Sequence, residues 1–159
     1  MTRIGILADT HIPKRARDLP LKAYQHLSGV DAILHAGDVL VADLIVRLEQ
    51  IAPVYAVLGN NDRALVLPQR LELTWEHVTV GLVHDSGPSV GRAGRLRRWF
   101  PTAQVVVFGH SHIPVNQRQD GLLLFNPGSA TDRRRQPHHT VGLLVIDGSD
   151  VRGEIVILD

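Results

Sequence analysis

The chain contains no cysteine, which excludes disulfides and thiolate metal sites and is compatible with a reducing cytosol. It also lacks a charge excess, since 17 basic residues against 16 acidic ones leave a net charge of +1. No global field therefore draws it to nucleic acid or to an anionic membrane. Aromatic residues are scarce: Trp 2, Tyr 2 and Phe 3 offer few platforms for stacking single-stranded bases, which argues against a nuclease. No stretch approaches the roughly 20 consecutive apolar residues that cross a bilayer. The N-terminus, "MTRIGILADTH", lacks the apolar core of a secretory signal, so a cytoplasmic location with no membrane contact is expected.

What the chain does have is enough apolar material to fold without staples. With 159 residues, 44% of them hydrophobic, it is expected to form one globular domain spanning 1–159. Short apolar runs recur at 4–8, 32–36, 54–58, 78–84, 105–108, 122–125, 140–146 and 153–158. Each is rich in β-branched residues and bounded by Gly, Pro, Asp or Asn, which favours strands. Between the early runs, residues 19–27 and 39–50 space their apolar positions by three and four, as an amphipathic helix does, and 90–100 is a weaker helical pattern with two glycines. The first half thus reads β-α-β-α-β, a parallel sheet with crossover helices, and the second half is β-rich and stacked upon it.

Four strand-end segments share one chemistry: "ADTH" (8–11), "AGDV" (36–39), "LGNND" (58–62) and "FGHSH" (108–112); a fifth, "LVHDSG" (82–87), ends another apolar run. In open α/β sheets the carboxyl ends of parallel strands meet in a crevice, so these residues are expected to converge. Asp9 and His11 are two apart, as are His110 and His112. In extended backbone such pairs point to one side. The same rule sends Asp85, one residue after His84, to the opposite side. Imidazole, carboxylate and the Asn60 amide oxygen suit Mn, Fe, Zn or Ni, whereas an all-oxygen set would indicate Ca or Mg. Seven candidate donors, Asp9, His11, Asp38, Asn60, His84, His110 and His112, exceed the needs of one four-coordinate ion. They match two divalent transition-metal ions roughly 3.5 to 4 Å apart that share a bridging carboxylate.

The ordered series D-x-H, G-D, G-N-x-D, H, G-H-x-H resembles the signature of the calcineurin-like metallophosphoesterases. The short chain, "HAGDV" and "NPGS" (126–129) resemble the small YfcE-type phosphodiesterases. The resemblance covers residue 4 to about 130. It implies a four-layer αββα sandwich of two stacked mixed sheets flanked by helices. It further implies that Asp9, His11 and His112 hold one ion, that Asn60, His84 and His110 hold the second, and that Asp38 bridges them, with manganese the first choice of metal. A hydroxide shared by such a pair attacks phosphorus in line while the cations neutralise the phosphoryl oxygens. The expected activity is hydrolysis of a small phosphate ester, a phosphodiester first and a phosphomonoester second. A non-catalytic scaffold of the same fold is the alternative from another class, since a retromer subunit shares this architecture.

Two departures from the family pattern stand out. Many relatives carry His where this chain has Asn61, which donates a hydrogen bond but cannot act as an acid, and this favours esters with good leaving groups. Relatives also often read H-G-H where this chain has "HDSG". Asp62 is expected to hold a ligand or to shape the loop, and Arg63, directly after the turn, is the arginine best placed for a substrate phosphate. His35 is either a partner orienting a ligand or a satisfied core histidine. The arginines of 92–98 are expected on an exposed helix face, and those of 133–135 in a solvated turn at the crevice rim. His26, His77, His138 and His139 have no motif context, and homo-oligomerisation stays open.

Overall fold

Alternating short β-branched runs and amphipathic segments fold into two sheets in the computed structural model, which describes residues 1–159. Strand β1 (Thr2–Leu7) leads to helix α1 (Leu21–Leu27), then β2 (Ala32–His35), α2 (Ala42–Glu49) and β3 (Val54–Ala56). The three strands pair in parallel, β1 with β2 and β2 with β3, so the expected β-α-β-α-β unit is present. The chain then builds a second sheet from β4 (Arg70–Trp75), β5 (Val78–Val83), β6 (Val105–Val107), β7 (Val115–Gln119) and β8 (Leu122–Asn126), with α3 (Arg92–Trp99) between β5 and β6. Finally β9 (Thr140–Asp147) and β10 (Asp150–Ile157) return to the first sheet. The strand orders are β10-β9-β1-β2-β3 and β4-β5-β6-β8-β7.

Side-chain alternation sorts the apolar residues into three cores. Ile4, Ile6 and Leu34 of one sheet meet Val80, Leu82, Val105 and Phe125 of the other in the central layer. On the outer face of the first sheet, Leu7 and Ile33 pack with Ala23 and Leu27 of α1 and Leu44 and Leu48 of α2. On the outer face of the second, Val106 and Leu124 pack with Ala93 and Leu96 of α3. The layers therefore run helix, sheet, sheet, helix. No helix is long and apolar enough to cross a membrane.

Two strands lie outside the apolar runs of the sequence. β4 ("RLELTW") alternates exposed and half-buried positions, and β7 ("VNQRQ") is almost wholly exposed. Both are edge strands of the second sheet, pairing antiparallel with β5 and β8. An edge strand with one solvated face needs no continuous apolar run. Helix α2 also starts later than its periodicity predicts, at Ala42 rather than Val39. Leu40 instead takes a left-handed backbone (φ 78°), and its N–H is held by the Asp62 carboxylate.

Candidate metal centre

The loops after β1, β2, β3, β5 and β6 meet at one edge of the two stacked sheets. Backbone hydrogen bonds tie neighbouring loops within each sheet: Asp9 N–H donates to the Gly37 carbonyl (3.0 Å), His11 N–H to the Asp38 carbonyl (3.1 Å) and Gly109 N–H to the His84 carbonyl (2.9 Å). Convergence is as expected, but its local cause is not extended backbone. Asp9, His11, Asp38, His110 and His112 all have positive φ, between 47° and 74°. Left-handed geometry at a non-glycine residue costs on the order of 1 kcal/mol, and such residues gather where surrounding structure holds them for a purpose. Gly37, at φ 101°, lets the β2 loop pass close beneath His84; a Cβ there would lie 2.6 Å from the imidazole Nδ1.

The side chains of these loops point their donor atoms at one another. One oxygen of Asp38, Oδ2, lies 3.3 Å from His11 Nε2 and 3.5 Å from His84 Nε2, so it stands between two groups of donors. On one side are Asp9, His11 and His112, with His112 Nε2 3.8 Å from Asp9 Oδ1. On the other, His84 Nε2 faces Asn60 Oδ1 at 2.9 Å and His110 Nδ1 at 3.3 Å. Asp9, Asp38 and His84 form a further close trio, so Asp9 as well as Asp38 is central.

Burial without partners is the observation that tests whether this set fits a cation. The protein has five buried side-chain polar atoms without a hydrogen-bond partner, and four are here: both Asp9 carboxylate oxygens, His11 Nε2 and His112 Nε2. A carboxylate sealed from water with no donor is costly. Burial, reinforced by the Asp38 charge, pushes the Asp9 carboxyl up to about 8. Asp38 goes the other way: burial would raise it, but His11 and both the N–H and side-chain amide of Asn61 outweigh burial and hold it well below the usual range. Burial lowers His84 and His112, keeping both imidazoles neutral.

Two of those imidazoles are oriented by backbone carbonyls that no motif in the sequence marks. His84 Nδ1 donates to the Ala36 carbonyl (2.7 Å) and His112 Nδ1 donates to the Asp132 carbonyl (2.5 Å). Each bond leaves Nε2 with a lone pair aimed into the centre, which is how metal-binding histidines are commonly fixed. The segment after β8 braces the site further: Ser129 Oγ donates to the Asp9 carbonyl and Thr131 Oγ1 to the Thr10 carbonyl.

Asp62 lies beneath the donors and is only 5% exposed. Its Oδ2 accepts the N–H groups of Asp38 and Gly59, and its Oδ1 that of Leu40, so it fastens the β2 loop to the β3 loop. His35 satisfies both expectations at once. It is fully buried and pushed down to about 3 by that burial, and it bonds Thr10 Oγ1 through Nε2 and the Gly37 N–H through Nδ1, linking two ligand loops.

Arg63 is exposed beside Asn60 and His84 on a shared groove. Asp85 is at the site rim rather than turned away, with Oδ2 3.9 Å from His110 Nε2. Arg92, Arg95 and Arg97 are not a free helix face: Arg92 and Arg95 donate to the carbonyls of Gly87 and Ser86 and hold the loop that follows His84, while Arg97 donates to the Ala103 carbonyl in the turn between α3 and β6. In 133–135, Arg133 donates to the Gln136 carbonyl, while the Arg134 charge acts on Asp9 and His112. His138 and His139 pair with Asp159, apart from the centre.

Known proteins share this arrangement of chain. A probable metallophosphoesterase from Methanothermobacter thermautotrophicus is 37% identical over 158 residues, 96% of this chain and 91% of that protein. Vacuolar protein sorting 29 of Cryptosporidium parvum superposes with a TM-score of 0.82 at 21% identity, over 99% of this chain and 98% of that one. An archaeal phosphodiesterase superposes at 0.74 and 22% identity, over 98% and 100%. The family model of the calcineurin-like phosphoesterase superfamily domain matches residues 2–149, which include every loop of the cluster. With two mixed sheets between helices and this extent of likeness, the chain belongs to the calcineurin-like phosphoesterase superfamily.

Proposed function

We propose that the protein is a dimetal phosphoesterase acting on phosphodiesters. The observation that carries this is the Asp38 carboxylate oxygen standing between His11 and His84, beside unpartnered buried atoms of Asp9, His11 and His112. Asp9, His11 and His112 would hold one divalent transition metal, and Asn60, His84 and His110 the other, with Asp38 common to both. Two such cations supply an acidified water and neutralise charge on the phosphoryl oxygens, and manganese suits the mixed nitrogen and oxygen donors.

The remaining residues position this set. Asn61 clamps Asp38 with its backbone N–H to Oδ1 (2.9 Å) and its side-chain amide to Oδ2 (3.0 Å), holding Oδ2 between the two groups of donors. It therefore offers no proton to a departing alkoxide, and esters whose alcohol leaves unaided are the better substrates. Asp62 acts by holding the Asp38 and Asn60 loops, not by touching substrate. Arg63, at the rim, binds the anionic substrate.

The fold is shared with vacuolar protein sorting 29 proteins, which keeps an assembly scaffold as the competing reading. All seven donor positions here carry competent ligands, which favours the enzyme. Protein refolded with excess Mn²⁺ should retain about two ions per chain and hydrolyse bis(p-nitrophenyl) phosphate, and Asp38→Ala should abolish turnover. Fewer than about one ion per chain, or equal turnover by that variant, overturns the proposal.

A further inference from the structure

A groove of about 470 Å³ opens beside Asn60 and His84, a size that accommodates a small organic ligand. Arg70, which opens β4, and Trp99, which closes α3, line it together with Arg63. The Arg70 guanidinium lies 4.0 Å from the centroid of the Trp99 ring. Stacking of this kind fixes the plane of the guanidinium and leaves its edge N–H donors free. Several other arginines are already engaged, Arg15 with Asp132, Arg47 with Asp18 and Arg95 with the Ser86 carbonyl. Arg63 and Arg70 have no carboxylate within ion-pair distance, yet they share one groove.

The two acids of the groove do not cancel them. Both oxygens of Asp62 are occupied by the three backbone N–H groups described above. Asp85 belongs to the metal end, where Oδ1 accepts the Gly87 N–H and Oδ2 faces His110. Val83, Leu58 and the Trp99 ring supply the apolar part of the lining.

We infer that this groove is a second anion subsite. On the phosphodiesterase reading, on which this rests, it receives the alcohol part of the ester, and it selects an alcohol that carries a further phosphoryl group, held by Arg63 and Arg70. A nucleoside bisphosphate unit, with a sugar and base to cover that apolar lining and a second phosphate for the arginines, has the right chemistry. Arg70 and Trp99 are then specificity-determining residues that take no part in the reaction at phosphorus.

The experiment compares two ligands that differ by one phosphate. Calorimetric titration of the Mn²⁺-loaded protein with thymidine 3′,5′-bisphosphate and with thymidine 5′-phosphate should show the bisphosphate binding about tenfold more tightly. In Arg70→Ala, and independently in Arg63→Ala, the ratio should fall to within about twofold. Two reporters, one in the segment between β3 and β4 and one at the start of β4, guard against one variant misfolding. Equal affinity of the unaltered protein for both nucleotides, or a ratio unmoved in both variants, overturns the subsite. The p-nitrophenyl esters of the same nucleotides, at the 5′-phosphate, separate the two claims: the kcat/KM ratio should follow the binding ratio. If neither ester is hydrolysed while the binding preference persists, the phosphoesterase reading fails and the anion subsite stands.

Discussion

His84 and Asn60, from loops of different sheets, bring two acceptor atoms face to face: imidazole Nε2 and amide Oδ1 stand 2.9 Å apart. Because Nδ1 is committed as a donor to the Ala36 carbonyl, a neutral His84 has only a lone pair on that side. Burial disfavours the imidazolium that would otherwise relieve the contact. A cation between them resolves the conflict. His84→Ala should therefore retain about one ion per chain instead of two, with activity falling more than the roughly 100-fold typical of losing an outer partner of a ligand. Elemental analysis after dialysis decides it, and an unchanged metal content would remove His84 from the ligand set.

Asp62 should prove a residue of the fold first and of the reaction second. Asp62→Ala leaves the N–H groups of Asp38, Leu40 and Gly59 without an acceptor, at a cost of about 3 kcal/mol or more. Urea denaturation should show this loss, with a smaller one in Asp62→Asn. Full stability in the alanine variant would mean that the loop is held some other way.

Gly37→Ala should damage the centre without touching a donor. The substitution combines a left-handed φ of 101° with a methyl group 2.6 Å from His84 Nδ1. Displacing a reacting group by about 1 Å can cost about 100-fold in rate. Activity should fall by that order while the far-ultraviolet circular dichroism stays native. Undiminished kcat would show that His84 tolerates movement.

Proton linkage gives the metal-free protein a distinctive pH profile. Asp9, raised from 3.8 to about 8 by burial and by Asp38, holds a proton in the folded chain that the unfolded chain releases, so stability from this group is lost as pH rises from about 4 through 8. Burial lowers His35 from 6.5 to about 3 and lowers His84 and His112, so the unfolded chain binds more protons there and stability is lost as pH falls below 6.5. Thermal melts in EDTA should peak near pH 6.5 and decline on both sides. Added Mn²⁺ should abolish the alkaline decline, because binding displaces the Asp9 proton. A metal-free midpoint that climbs steadily to pH 8 would contradict the buried, protonated Asp9.

The parallel strands and the convergence of Asp9, His11, Asp38, Asn60, His84, His110 and His112 were legible because each carries a side-chain signal: a β-branched run for burial, then His, Asp or Asn where the strand stops. β4 and β7 were not, since a solvated edge strand such as "VNQRQ" satisfies its backbone by pairing and needs no apolar pattern. The orienting carbonyls of Ala36 and Asp132 were invisible for a different reason, as every residue owns a carbonyl and only the folded path of the chain aims one. Asp85 was misplaced by assuming that the strand geometry of Val83 continues past His84. The loop conformation that governs it is set by bonds from Arg92 and Arg95 of α3 to the Gly87 and Ser86 carbonyls, which strand alternation does not reflect.

Asp9, Asp38 and Asn60 hang from one sheet, and His84, His110 and His112 from the other. The apolar layer between the sheets is held by packing alone, without directional bonds across it. A pair of ions gripped from both sides would act as a rivet at one rim. Chelation should let the two sheets shear, loosening amide protection along β3 and β5 well before the opposite rim responds.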